Sequence, residues 1–274
     1  MGNFDFRKYN REVFEDTIHI IKSSNEYTQS TNESISKQRL YLENERLPHP
    51  KDKYQSECKV IVTKNKTMDA ARNYKDKKVA VLNFASATTP GGGVERGASA
   101  QEECLCRVSN LYLCLTDKKL WNPFYQKNRD AKDNIHTDDI IYSPNVLVIK
   151  NDSYKLAENF NVDVITCAAP NLRDTPENAF NKDLGEAITL TFSEQYKIHY
   201  KRAIRIMEVA ASNNAEVLIL GAFGCGAFRN DPKAVANAYK DAIKLYRKKF
   251  ETIEFAVYCS NDMTNYNVFK EVFE

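Results

Sequence analysis

Two adjacent carboxylates, Glu102 and Glu103, stand just beyond a run of three glycines in the stretch TTPGGGVERGASAQEEC, residues 88–104. Gly91, Gly92 and Gly93 lack a Cβ, so their backbone can take positive φ and approach a ligand closely. A carboxyl beside such a loop, shielded from water and close to phosphates, has its ionised form disfavoured and its pKa raised. The partial positive charge of a helix N-terminus opposes that shift. A raised carboxyl suits a general acid at neutral pH. The chemistry implied is protonation of a leaving oxygen on a phosphate-bearing small ligand.

Ser99-Ala-Gln-Glu102 also matches the Ser-x-x-Glu capping box at a helix start, in which Ser99 and Glu102 satisfy each other's backbone donors. Glu103 has no such duty. Adjacent helical residues point about 100° apart, so one carboxyl is expected to hold the helix start while the other faces the ligand. The plainer reading of Glu103 is a solvated acid complementing the helix dipole.

A second glycine loop, GAFGCGAFRNDP (221–232), carries Gly221, Gly224 and Gly226 ahead of Asp231-Pro232. Asp as N-cap and Pro at the first helical position open a helix. Loop amides just before it can hold phosphate oxygens. Neither loop is a Walker A, which needs Gly-Lys-Ser/Thr, and neither gives GxGxxG. Each alone reads as a tight turn; two on one rim point to a phosphate-bearing ligand.

The elements around them decide whether they share a rim. Residues 8–22 read as a helix, and 23–57 as polar loop, short helix or tether. Strands are predicted at 59–63, 78–84, 145–150, 162–170, 216–223 and 252–259, apolar and nearly continuous as buried strands are. Helices are predicted at 68–75, 100–115, about 193–212 and 232–249, with a polar, aromatic-bearing stretch at 117–144. Of its aromatics Trp121, Phe124, Tyr125 and Tyr142, the spacing gives no more than a loop tucked onto the core or flanking a cleft. The alternation predicts an α/β domain with helices on both sheet faces. In such sheets ligands bind at the carboxyl ends of strands, where PGGG, CAAPN (167–171) and GAFGCGAFRNDP all fall.

The balance of 39 basic and 37 acidic residues gives no reason to expect a nucleic-acid or anionic-membrane surface. No run of about 18 apolar residues or signal-peptide core appears. The seven scattered cysteines read as buried free thiols in a reducing cytosol. Neither they nor the four isolated histidines show zinc spacing.

PGGG, seven residues, then QEE resembles the signature of the poly(ADP-ribose) glycohydrolases. LNFASA before it, SPNV at 143–146, CAAPN and GAFGCGAFRNDP are similar to the microbial branch of that family. The resemblance covers nearly the whole chain. It implies a macrodomain-like three-layer α/β/α sandwich with a mixed sheet and an N-terminal helical extension, divided as 1–57 and 58–274. It implies hydrolysis of the ribose–ribose O-glycosidic bond of poly(ADP-ribose), from chain ends, with no metal or cofactor. By the same analogy Glu103 is the general acid, Glu102 positions the scissile ribose and Gln101 supports the loop. Gly91, Gly92 and Gly93 shape the loop around the diphosphate and ribose. Gly224, Cys225, Gly226 and Ala227 donate amides to the diphosphate, Phe228 packs on the distal ribose, and Asn83 with Ala85 lies near that ribose. Relatives often carry Asn before PGGG where this chain has Thr89, and a hydroxyl replaces only part of an amide's bonding. The alternatives are a reader that binds ADP-ribose without cleaving it, or a hydrolase of mono-ADP-ribosylated protein or nucleic acid. The partner expected is poly(ADP-ribose) or an ADP-ribosylated macromolecule, met by a cytoplasmic monomer without membrane or sequence-specific nucleic-acid binding.

Overall fold

The computed structural model describes residues 5–177, 182 and 184–274. Its helices are α1 (Phe6–Ser23), α2 (Asn25–Lys37), α3 (Thr67–Arg72), α4 (Gln101–Val108), α5 (Leu111–Leu115), α6 (Lys118–Leu120), α7 (Lys127–Ala131), α8 (Phe192–Ser212), α9 (Pro232–Tyr246) and α10 (Thr264–Phe273). Its strands are β1 (Arg39–Tyr41), β2 (Lys59–Thr63), β3 (Val79–Ala85), β4 (Ile140–Lys150), β5 (Leu156–Ala168), β6 (Val217–Leu220) and β7 (Thr252–Ala256). The seven strands form one sheet in the order β1-β4-β5-β3-β6-β7-β2. The β1–β4 and β4–β5 pairs are antiparallel and the rest parallel, so the sheet is mixed.

Alternate residues of the central strands feed two cores. Ala80, Leu82, Ile165, Cys167, Leu218, Leu220, Ile253 and Phe255 meet the apolar faces of α8, α9 and α10. Val79, Val81, Val162, Val164, Val217 and Ile219 meet Phe14 of α1, Met68 of α3, and α4 and α5. Because side chains alternate across a strand, strands this apolar must be covered on both sides. The result is the expected three-layer α/β/α, macrodomain-like arrangement.

Three sequence expectations change. The helix expected over 100–115 breaks at Ser109-Asn110. There Asn110 Oδ1 accepts from Leu147 N at 2.9 Å and Asn110 Nδ2 donates to Thr31 Oγ1 at 3.0 Å. The N-terminal stretch is not wholly helical: Arg39–Tyr41 pairs with Ile140–Tyr142 as an edge strand. The 117–144 stretch holds α6, a π-helical turn at Trp121–Gln126, α7 and the start of β4. In it Phe124, Tyr125 and Tyr142 are core residues, whereas Trp121 is 40% exposed.

Strand β3 lies between β5 and β6, with Ala85 in register with Ala168 and Val81 with Ile219. The loops leaving the carboxyl ends of these three strands therefore emerge side by side. The loop after β3 leads to α4 on one face; the loop after β6 leads to α9 on the other. A crevice between loops that part to opposite faces is where an open α/β sheet binds its ligand.

Candidate active site

Glu102 and Glu103 both lie in the first turn of α4 and both are buried. The capping box is absent: Ala100 is the N-cap and no side chain caps the helix. Glu102 turns inward, where stronger donors are available than a solvent-facing Ser99. Its Oε1 accepts from Asn83 Nδ2 at 3.2 Å and its Oε2 from Ser86 N at 2.8 Å. Burial and the neighbouring Glu103 carboxylate push Glu102 up to about 8, against the donors from Ser86, Asn83 and Gly91.

Glu103 Oε1 accepts from Gly93 N at 2.8 Å. Its Oε2 is buried and has no partner among the described residues. The two carboxyls take different partners, and both come close to Gly92. A Cβ on Gly92 would stand 2.5 Å from Glu103 Oε1 and 3.2 Å from Glu102 Oε2. With φ at 60°, Gly92 adopts the left-handed region as well, so backbone and space both require glycine there.

Gln101 is engaged with the scaffold. Its Oε1 accepts from Phe84 N at 2.8 Å, while its Nε2 donates to Leu82 O at 2.8 Å and Thr67 Oγ1 at 3.1 Å. These bonds fix the start of α4 on β3 and α3, so the amide supports the carboxylate pair through the helix. Asn83 is fully buried and its Nδ2 also donates to Thr166 Oγ1, its register partner on β5, at 3.2 Å. It acts on Glu102 from beneath. Ala85 is buried at the end of β3 and offers the cleft only its main chain. Ser86 Oγ accepts from the amides of Thr88 and Thr89 at 3.4 and 3.1 Å and so shapes the loop entrance. Arg129 donates to Thr88 O at 2.7 Å and to Thr89 Oγ1 at 3.3 Å, which gives the hydroxyl at that position a protein partner.

In the second loop Gly224 has φ at 77°, and a Cβ there would stand 2.6 Å from Ala169 Cβ. The Cys225 amide donates to Ala222 O at 3.1 Å, so it is committed within the turn and not free for a phosphate. Among the described residues, the amides of Gly224, Gly226 and Ala227 carry no protein acceptor. Gly226 and Ala227 are exposed, and a Cβ on Gly226 would meet nothing within 4 Å. Asp231 caps α9 as expected, accepting from Lys233 N and Ala234 N, with Pro232 following. Phe228 is half-buried, 6.4 Å from the His136 ring and 5.7 Å from the Arg173 guanidinium.

Asn230 joins the second and third loops. Its Nδ2 donates to Pro170 O at 2.7 Å and Gly224 O at 3.1 Å, and its Oδ1 accepts from His199 Nε2 at 2.8 Å. Burial holds His199 at about 4, so the ring is neutral. Sequence reading passed over Asn230, Ser86 and Arg129. Asn230 sits inside the glycine loop quoted above, but its distant partners, Pro170 just after β5 and His199 of α8, are brought to it only by the fold. A polar cavity of about 370 Å³ lined by Lys77, Lys78, Glu158 and Asp163 lies away from these loops, at the start of β3.

Residues 14–151 match the family model for the catalytic domain of microbial-type poly(ADP-ribose) glycohydrolase. No curated protein matches. Among solved structures, poly(ADP-ribose) glycohydrolase from Thermomonospora curvata is 29% identical with a TM-score of 0.84, covering 97% of this chain and 100% of that one. The Deinococcus radiodurans glycohydrolase in complex with ADP-ribose is 31% identical with a TM-score of 0.75, covering 89% of this chain and 97% of that one. This chain belongs to the microbial-type poly(ADP-ribose) glycohydrolase family. The T. curvata glycohydrolase bound to the inhibitor ADP-HPD is similar too, at 27% identity and a TM-score of 0.81 over 97% of this chain and 99% of that one. No described helix is long and apolar enough to cross a membrane.

Proposed function

We propose that this chain is a poly(ADP-ribose) glycohydrolase that hydrolyses the ribose–ribose O-glycosidic bond and releases ADP-ribose. The observation that carries the reading is the buried pair Glu102–Glu103 laid against Gly92 and Gly93. Two carboxyls this close resist ionising together, so the pair retains a proton near neutral pH. Both oxygens of Glu102 accept from donors, whereas Glu103 Oε2 has none among the described residues. That oxygen is the one of the four left free to bond the substrate.

In this reading Glu103 protonates the leaving ribose oxygen as the glycosidic bond breaks, and Glu102 accepts hydrogen bonds from the ribose hydroxyls. Water then adds to the oxocarbenium-like centre and gives its proton to the Glu103 carboxylate, which restores the acid. Gly91, Gly92 and Gly93 wrap the ribose and diphosphate. The amides of Gly224, Gly226 and Ala227 donate to the diphosphate. Phe228, backed by Arg173 and His136, closes the cleft at the terminal ribose, so attack proceeds from chain ends. Asn83, Ala85 and Gln101 hold the frame on which these groups stand. Residues 1–57 form an extension on a catalytic domain at 58–274, and the enzyme acts as a cytoplasmic monomer.

The test compares release of ADP-ribose from purified poly(ADP-ribose) by the wild type and by Glu103→Gln. Loss of release on the order of 10²–10⁴-fold in a folded variant that still binds ADP-ribose is expected for a removed general acid. Binding by the wild type without release would instead make it a reader. Products dominated by oligomers would contradict attack from chain ends.

A further inference from the structure

The glycine loop is held from behind by groups that have no part in the chemistry above. Gly91, with φ at 65°, lies on the ring of Tyr112, and a Cβ on it would stand 2.7 Å from Tyr112 Cδ2. The Tyr112 hydroxyl donates to Glu95 Oε1 at 2.7 Å, in the short turn Val94–Arg96 that continues the loop. The same ring meets Phe14 of α1 edge-on, with centroids 4.9 Å apart. At the loop's far end, Gly97 has φ at 74°, and a Cβ on it would stand 2.1 Å from Arg7 O. The buried Asn10 Nδ2 donates to Gly97 O at 3.1 Å. Helix α1 thus reaches one end of the loop directly and the other through Tyr112.

We infer that Tyr112 and Asn10 are positioning residues that, with α1, clamp the glycine loop at the height where its amides and Glu103 meet the substrate. The inference rests on the functional reading above, because it assigns the loop's position a catalytic consequence. Loop amides from Gly92 to Ala98 bond mostly within the loop, and Gly93 N bonds Glu103. Such a loop moves as a unit when its supports are removed. A misplacement of about 1 Å costs a reaction on the order of 10²-fold.

The experiment uses the full chain as wild type, Tyr112→Phe, Tyr112→Leu and Asn10→Ala. It measures kcat and KM for ADP-ribose release, and amide hydrogen exchange of peptides covering 88–98, which reads loop opening independently of turnover. Tyr112→Leu is expected to lower kcat on the order of 10²-fold. Its loop peptides should exchange faster while those of β3 are unchanged. Tyr112→Phe keeps the ring beneath Gly91 and loses one hydrogen bond, so it should stay within about fivefold of wild type. A purely architectural role would lower the melting temperature yet leave kcat and loop exchange as in wild type, and that result overturns the inference. If Tyr112→Leu does not fold, Asn10→Ala decides by the same two readouts. Absence of release by the wild type would overturn the functional reading instead, and loop exchange alone would then settle the clamp.

Discussion

Glu103 Oε1 accepts a 2.8 Å hydrogen bond from Gly93 N while its Oε2 stays buried and unpartnered among the described residues. One oxygen anchors the loop, and in the proposed mechanism the other is the one that meets the substrate. The two duties separate by substitution. Glu103→Gln keeps an acceptor for Gly93, so it should abolish turnover while leaving ADP-ribose affinity near wild type. Glu103→Ala removes the anchor as well. It should weaken ADP-ribose binding by up to about tenfold beyond the loss of turnover, since a hydrogen bond contributes about 0.5–1.5 kcal/mol. Calorimetric titration of both variants with ADP-ribose checks this.

The carboxyl pair also sets a pH dependence. Burial first, then the Glu103 charge, push Glu102 up to about 8. Glu102 is therefore protonated at neutral pH and ionises as pH rises through about 8. Its ionisation adds a negative charge to the buried site and changes the group proposed to hold the ribose, so turnover should fall as pH rises through about 8. Stability follows the same direction: with a folded pKa above the unfolded 4.5, protonated Glu102 favours the fold at low pH, and that contribution is lost as pH rises from 4.5 through 8. Rate profiles and melting temperatures between pH 5 and 9 test both (about this range brackets the shift). A turnover rate still rising above pH 8 would refute the assignment.

Gln101 makes its contribution through geometry. Its amide donates to Leu82 O and accepts from Phe84 N, a two-way match to the backbone of β3. Gln101→Glu cannot donate to Leu82 O and places a carboxylate against that carbonyl. It should cost about 2–4 kcal/mol by leaving a buried acceptor unsatisfied and facing negative charge. It should also lower kcat by moving α4. Urea unfolding measures the first effect and turnover of the folded fraction the second.

The local patterns legible in the sequence were those a strand or helix enforces alone. The apolar runs of β2, β3 and β6 lie close to where periodicity placed them, and Asp231-Pro232 opens α9 as read. The glycine loops and the carboxylate pair were visible as motifs. What failed was local logic overruled by distant partners. Ser99-x-x-Glu102 is a sound capping box, but Ser86 and Asn83 of the β3 end outcompete it for Glu102. The helix expected over 100–115 stops because Asn110 is claimed by Leu147 and Thr31. Strand β1 is three residues long in a polar stretch, so its signal lies only in its pairing with β4. The conflict at Glu102 falls at the site, where polar groups are drawn from several elements.

His199 supplies an acid limit. Its buried ring sits at about 4, chiefly through burial, below its ordinary 6.5. A base whose pKa is lowered on folding contributes stability present above 6.5 and lost as pH falls through about 4. Its bond to Asn230 carries the consequence to the second glycine loop. His199→Gln keeps a donor for Asn230 without a titrating ring, so it should flatten this acid-side loss. Melting temperatures of the two proteins from pH 7 down to about 4 give the comparison.

Gly224 and Gly226 stand two residues apart in the second glycine loop but answer to different demands. Gly224 is left-handed, with Ala169 Cβ 2.6 Å and Asn230 Nδ2 2.7 Å from any added Cβ. Gly224→Ala should destabilise the fold by roughly 2–5 kcal/mol, combining backbone strain with overpacking. Gly226 has no positive φ and open space before it. Gly226→Ala should therefore change stability by no more than about 0.5 kcal/mol. Under the proposed diphosphate contact its methyl meets the ligand, so ADP-ribose affinity should fall while the melting temperature holds. Affinity unchanged in Gly226→Ala would move the diphosphate away from this loop, and equal losses of stability in the two variants would mean that the loop is packed at both glycines.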